Sequence, residues 1–153
     1  WLPVQGLVSE ETYFLESSPY NTVTAPGDSL ESITVTAYQY RDNSLYTEAS
    51  RGFMPDGSIV PQLAAPGVQI RVPQLNGLYG FSSGTSLGAA QTAGAAALLF
   101  EWAVVRGNRP FFSGSSVKNY LIRGAKREER LQYPSRDWGF GRVDLYHTFE
   151  LLT

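Results

Sequence analysis

Ser86 is the residue of this chain best placed to do chemistry. It stands in Gly84-Thr85-Ser86-Leu87-Gly88, and the chain then continues through Ala89-Ala90-Gln91-Thr92-Ala93-Gly94-Ala95-Ala96-Ala97, nearly all small side chains. A hydroxyl at the mouth of a helix meets unpaired backbone N–H groups and a partial positive charge, which suit a nucleophile and the oxyanion it generates. A serine nucleophile also needs a base. The only histidine, His147, lies far downstream, and cysteine is absent. Serine at a helix start is equally a common N-cap, and the Gly84-to-Gly88 spacing suits plain helix packing. From position alone, both readings of Ser86 stand.

Composition narrows the setting. The 153 residues fit one domain with a proper core, and 15 Gly with 9 Pro imply many tight connections. A net charge of −2 gives no electrostatic footprint for nucleic acid. Without cysteine there are no disulfides or thiolate metal sites, and one histidine cannot form an imidazole cluster. No apolar run is expected to reach the ~18–20 residues of a membrane span; the longest, Ala93 to Val105, holds Glu101 and stops at Arg106-Gly107-Asn108. The start, Trp1-Leu2-Pro3-Val4, has neither an initiator Met nor a signal-like pattern, and reads as a processed chain or a piece of a longer one.

The elements that must position Ser86 follow from patterning. Glu10–Leu15 suggests an edge strand, and Ser32–Tyr40, rich in β-branched and aromatic residues, a strand with Ile33, Val35 and Ala37 on one face. Leu63–Val72 reads as a turn feeding a second strand, and Leu75–Phe81 as a loop with an Asn76-Gly77 turn. A helix over about Ser86–Val105 is small or apolar on every side, the pattern of a helix buried all round. Ser115/Ser116 cap a second helix over 116–123 with Val117 and Leu121 inward and Gly124 as its stop, and Val143–Leu152 forms a third. Lys126–Arg130 reads as a solvated loop, and Trp102, Trp138 and Phe111-Phe112 as core or loop anchors. Strands alternating with helices give an α/β fold.

Three stretches together carry a family resemblance. Ala65-Pro66-Gly67-Val68-Gln69-Ile70, Gly84-Thr85-Ser86-Leu87-Gly88-Ala89-Ala90 and Ala93-Gly94-Ala95-Ala96-Ala97-Leu98-Leu99 resemble the C-terminal part of the subtilisin-like serine proteases. Upstream, Thr22–Gly27 followed by Ser32–Ala37 is similar to the segment that precedes the family's serine, and Gly139-Phe140-Gly141-Arg142-Val143-Asp144 to its closing turn. Phe100-Glu101-Trp102, Val117–Ala125, Tyr133-Pro134 and Trp138–Gly141 resemble more narrowly the clostridial spore-germination subtilases of the Csp type. In those, a jelly-roll insert precedes the final stretch of the protease domain. The resemblance implies the C-terminal portion of a three-layer fold with a mostly parallel sheet and a central buried helix starting at Ser86. Residues 1–15 would leave a preceding insert, and 16–153 would belong to the catalytic domain.

Carried over position by position, Ser86 matches the nucleophile, and its backbone N–H one oxyanion donor. Thr24 and Ala25 match a wall of the substrate pocket, Ser82 and Ser83 its floor, and Leu87 a residue on the leaving-group side; Tyr79 and Phe81 are candidates to line the cleft. The chain departs from the family where it has Gly88 in place of the usual Ala and Ala90 in place of a nearly constant proline. The family's Asp, His and oxyanion Asn precede the serine, and no histidine precedes Ser86 here. His147 reads as an ordinary helix histidine, and Asn21 and Asn43 as turn residues.

The expected activity is peptide-bond hydrolysis through an acyl-enzyme on Ser86, with Asp, His and Asn supplied by an N-terminal part of the same protease. Losing a triad member costs on the order of 10⁴–10⁶ in turnover, so this chain alone is expected to be inert. The alternative is a catalytically degenerate subtilase acting in binding or regulation, motivated by Gly88 and Ala90. No cofactor is implied. Calcium is frequent in the family, but Asp56, Asp137 and Asp144 are too scattered to locate a site. A bacterial, secreted or spore-associated setting accompanies the resemblance.

Overall fold

The computed structural model describes Ser9 and residues 11–152. The expected edge strand falls partly outside them, and its described part, 11–15, is turn and irregular backbone.

Two short strands form the centre. β1 (Val35–Tyr38) and β2 (Leu63–Pro66) run parallel, with Val35 opposite Leu63 and Tyr38 opposite Pro66. The closing turn adds itself to the far side of β2, where Ala64 N–H donates to Gly141 O at 2.9 Å and Val143 N–H to Ala64 O at 2.8 Å. Every residue of β1 is buried, so the expected one-face alternation gives way to burial on both faces, the habit of parallel sheets. The segment expected to hold one strand, Leu63–Val72, holds two, and a further strand falls where the loop Leu75–Phe81 was expected. After β2 come β3 (Ile70–Pro73) and β4 (Tyr79–Ser82), an antiparallel hairpin closed where Asn76 and Gly77 take positive φ (60° and 71°). Pro66-Gly67 divides β2 from β3, and Gly80 interrupts the side-chain alternation that would have marked β4.

α1 (Thr85–Phe100) lies across β1 and β2 and passes into a π-helical turn over Glu101–Val105. Glu101 does not break it. Its carboxylate pairs with Arg106 at 2.8 Å, and its carbonyl accepts from Arg106 N–H at 2.9 Å. The continuous stretch Thr85–Val105, 21 residues with mean hydropathy 1.2, is therefore long and apolar enough to cross a membrane by length and composition, contrary to the expectation from Ala93–Val105 alone. In this fold its inner stripe packs on the sheet. Burial is also one-sided rather than all round: Gly88, Thr92, Ala95, Leu99 and Ala103 are buried, whereas Ala89, Ala90, Ala93, Gly94, Ala97 and Leu98 are exposed. The described chain supplies partners for that one face only.

α2 (Gly114–Gly124) starts at Ser113 rather than Ser115/Ser116, because Ser113 and Ser116 form a reciprocal capping box at 3.3 Å each way. Its inner residues Val117 and Leu121 join Leu63, Leu99 and Ala103 in the core. α3 (Leu145–Glu150) is capped by the Asp144 carboxylate, which accepts from His147 N–H at 2.9 Å. Phe112 is buried, while Phe111 is 99% exposed and anchors nothing in the described chain.

The loop after α2 is exposed throughout 126–130, as expected, yet two of its side chains bind back to the fold. Arg127 donates to the carbonyls of Ile122 (2.7 Å) and Phe140 (2.8 Å), and Glu128 pairs with the buried Arg142 at 3.1 Å. Arg142 also donates to Asn43 and lies over the Tyr38 ring, 5.6 Å from its centre. Charged side chains thus tie loop to sheet.

α2 meets α3 where Gly124 abuts Thr148, both fully or nearly buried. A Cβ on Gly124 would overlap the Thr148 hydroxyl and backbone. Gly124→Ala should therefore destabilise the protein by about 1–3 kcal/mol through overpacking, read as a lower urea midpoint at unchanged slope.

Candidate active site

The helix start that presents Ser86 is built from backbone contacts. Gly84 is the N-cap, in extended backbone, and Thr85 and Ser86 are the first two helical residues. Ser86 is thus not the cap, and no side chain caps this terminus. Of the N–H groups of this first turn, Leu87's reaches Gly84 O, while those of Thr85 and Ser86 have no carbonyl to meet among the described residues. Ser86 is exposed, and its hydroxyl has no hydrogen-bond partner among the described residues. A free hydroxyl beside unpaired N–H groups is chemically available.

Its position is set from below. Gly84 N–H donates to Gly67 O at 2.8 Å, and Gly67 N–H in turn to Tyr38 O at 3.0 Å at the end of β1. A Cβ at Gly67 would sit 2.7 Å from both Gly84 O and the Ala37 Cβ, so only glycine allows this approach. Beside it, Gln69 N–H donates to the Ser83 hydroxyl at 3.0 Å. Gly88 continues the same closeness along α1, where an added Cβ would stand 3.4 Å from Thr36 O and Ala65 O. Gly67 and Gln69 were not singled out from the sequence as site residues. The signal was Gly67 within Ala65-Pro66-Gly67-Val68, a motif whose role becomes visible only when Gly84 is packed on it.

The other candidates fall in several places. Thr24 lines a cavity of about 150 Å³ together with Val23, Thr34, Val35, Ser50, Pro61 and Thr85, which brings it beside the start of α1. Ala25 is exposed on the adjoining loop. Ser82 ends β4 opposite Ile70, Ser83 is held by Gln69, and Leu87 is half-buried with its N–H on Gly84 O at 3.1 Å. Tyr79 and Phe81 are exposed on the hairpin, and the Arg71 guanidinium lies 4.7 Å from the Tyr79 ring centre.

His147 is elsewhere. It pairs with Glu150 at 3.2 Å on α3, which packs on α2. The neighbouring Phe149 meets Trp102, a point about 24 Å along the helix from Ser86 at 1.5 Å per residue. Asn21 and Asn43 hold positive-φ turns (57° and 61°). Asp56 accepts from Ser58 N–H, Asp137 pairs with Arg51 and Asp144 caps α3, so these carboxylates serve separate structural ends.

The profile of the Subtilase family (peptidase S8) matches residues 15–141. The chain belongs to the Subtilase family. Among solved structures, this subtilase is similar to the Clostridium perfringens CspB protease, at 42% identity and a TM-score of 0.88 over 92% of the chain. It shares its fold with the prenylagaramide maturation protease PagA (23% identity, TM-score 0.72, 88% of the chain) and the patellamide maturation protease PatA (23%, 0.70, 88%). The chain spans only 31% of the CspB protease chain and 47% of each of the other two. No curated protein sequence matches it. A subtilase fold with a parallel pair under a serine-bearing helix accords with the expected α/β class.

Because Gly67 sets the entry to α1, Gly67→Ala should displace Ser86. With Ser86 as the nucleophile proposed below, a misplacement on the order of 1 Å would cost roughly 10²-fold in reactivity, measurable as the rate of fluorophosphonate labelling in the full-length protein.

Proposed function

We propose that this subtilase chain is the nucleophile-bearing, C-terminal part of a serine endopeptidase. The observation that carries the reading is the unengaged Ser86 hydroxyl at the second position of α1, held by the Gly67–Gly84 contact. In the proposed reaction Ser86 Oγ attacks the scissile carbonyl while a histidine from an upstream segment takes its proton. The Ser86 N–H and an upstream Asn stabilise the oxyanion. The histidine then protonates the leaving amine, and water hydrolyses the acyl-enzyme. Thr24, Ala25, Ser82, Ser83 and Leu87 surround the substrate. A bacterial setting, secreted or spore-associated, goes with this reading.

The bare side of α1 supports an additional segment. A helix glycine costs roughly 1 kcal/mol relative to alanine, yet Gly94 has no heavy atom within 4 Å of its would-be Cβ. An apolar groove of about 400 Å³ beside it is lined by Pro66, Gln91, Thr92, Ala95, Leu98 and Leu145. Small residues that nothing in the described chain requires suit a face onto which another backbone packs closely. The part of the protease carrying Asp, His and Asn would fill it.

A degenerate, binding-only subtilase is the second reading, favoured by the departures at Gly88 and Ala90. Fluorophosphonate labelling of the full-length protein separates the two. An active enzyme labels and Ser86→Ala removes the label, whereas a wild type that stays unlabelled with an upstream Asp, His and Asn present overturns the protease reading. Gly94→Ala tests the covered face: it should lower the full-length protein's stability by about 1–3 kcal/mol through overpacking, and a gain of stability would show that face to be open.

A further inference from the structure

The loop that carries Thr24 and Ala25 is long and largely self-contained. Between Thr22 and Thr34 it is folded by its own bonds: Gly27 N–H to Thr24 O (2.8 Å), Ser29 N–H to Pro26 O (3.2 Å), the Ser32 hydroxyl to Ser29 O (2.9 Å) and the Thr34 hydroxyl to Gly27 O (2.6 Å). Its two ends are tied to the fold. Thr22 is bonded to Arg51, and Thr34 exchanges bonds with Gln62, its N–H donating to the Gln62 side chain at 2.6 Å. Between these ends the loop projects, with Asp28, Ser29, Leu30 and Glu31 exposed.

One side chain reaches it there. Lys118, on α2, sends its ammonium to Leu30 O at 2.8 Å and Ser32 O at 2.9 Å. Among the described residues these are the only hydrogen bonds from residues 25–32 to anything outside the loop. We propose that Lys118 is a positioning residue of the substrate cleft, its ammonium clamping the loop so that Thr24 and Ala25 stand as a wall beside Ser86. The proposal rests on reading the chain as part of a serine endopeptidase.

Two further observations favour positioning over general stability. The pKa of Lys118 is lowered from the ordinary lysine value, first by burial, with Glu31 acting the other way. Partial burial therefore opposes the charge, and the two carbonyl contacts offset that cost. The serine, meanwhile, is fixed independently through Gly67 and Gln69. Loosening the loop should reach substrate binding without reaching the nucleophile.

The test is Lys118→Met, which keeps the stem and removes the ammonium, with Lys118→Arg as the variant that keeps a cationic donor. In the full-length protein, Lys118→Met should leave the melting temperature close to wild type. It should speed hydrogen exchange of the amides in 27–34 at least tenfold. On succinyl-Ala-Ala-Pro-Phe p-nitroanilide it should raise KM roughly tenfold with kcat within twofold, the pattern of lost binding rather than lost transition-state contacts. Lys118→Arg should restore both exchange and KM most of the way. Unchanged exchange and KM, or a fall in kcat at constant KM, would overturn the proposal. If the wild type turns over no peptide and takes no fluorophosphonate label, the protease reading fails by itself. The exchange experiment would then still decide whether Lys118 holds the loop.

Discussion

Everything in this fold depends on how close α1 is allowed to come to the two parallel strands beneath it. Gly67 has no Cβ to hold Gly84 away, and Gly88 lies near van der Waals distance of carbonyls from both β1 and β2. That proximity aligns the start of the helix with the strand ends. Ser86 emerges at this junction as the second helical residue, its hydroxyl outside the capping bonds that occupy most serines at helix ends. The helix is glycine-rich for the same reason. Gly88 weakens the helix locally, and its contact with the sheet offsets the loss.

Much of this was legible in the sequence, and the parts that were not have physical causes. The helix, the serine at its mouth, the inward Val117 and Leu121 and the Asn76-Gly77 turn follow from patterning that local physics alone decides. β4 was hidden because Gly80 lacks the side chain that would complete an alternation, and β2 because a four-residue buried strand looks like the start of a turn when Pro66-Gly67 follows it. The cap of α2 moved to Ser113 because three serines compete there and only Ser113 finds its partner at the required spacing. The one-sided burial of α1 could not be read at all. A run of small residues says that close packing is intended, not which faces receive it.

The polar interior follows a common pattern. Arg142 lies under the sheet between Asn43, Glu128 and the Tyr38 ring, and burial raises the phenol of Tyr38 above the ordinary tyrosine value. Arg51 pairs with Asp137, and Gln62 braces the backbone of Thr34. These side chains link loops to the central strands or to one another. With so little regular sheet, the fold relies on them to fix loops that a larger sheet would hold by ladder bonds.

The Gly67 contact has a consequence for how such a chain can change over time. It touches Ala37 in β1 and Gly84 at the helix entrance at once, so a shift in the middle of the sheet is passed to the serine with no soft material between. Core and site cannot drift separately here. A substitution that thickens β1 at the fully buried Ala37 would press on Gly67 and, through it, on the entrance of α1, so the interior and the start of that helix have to change together.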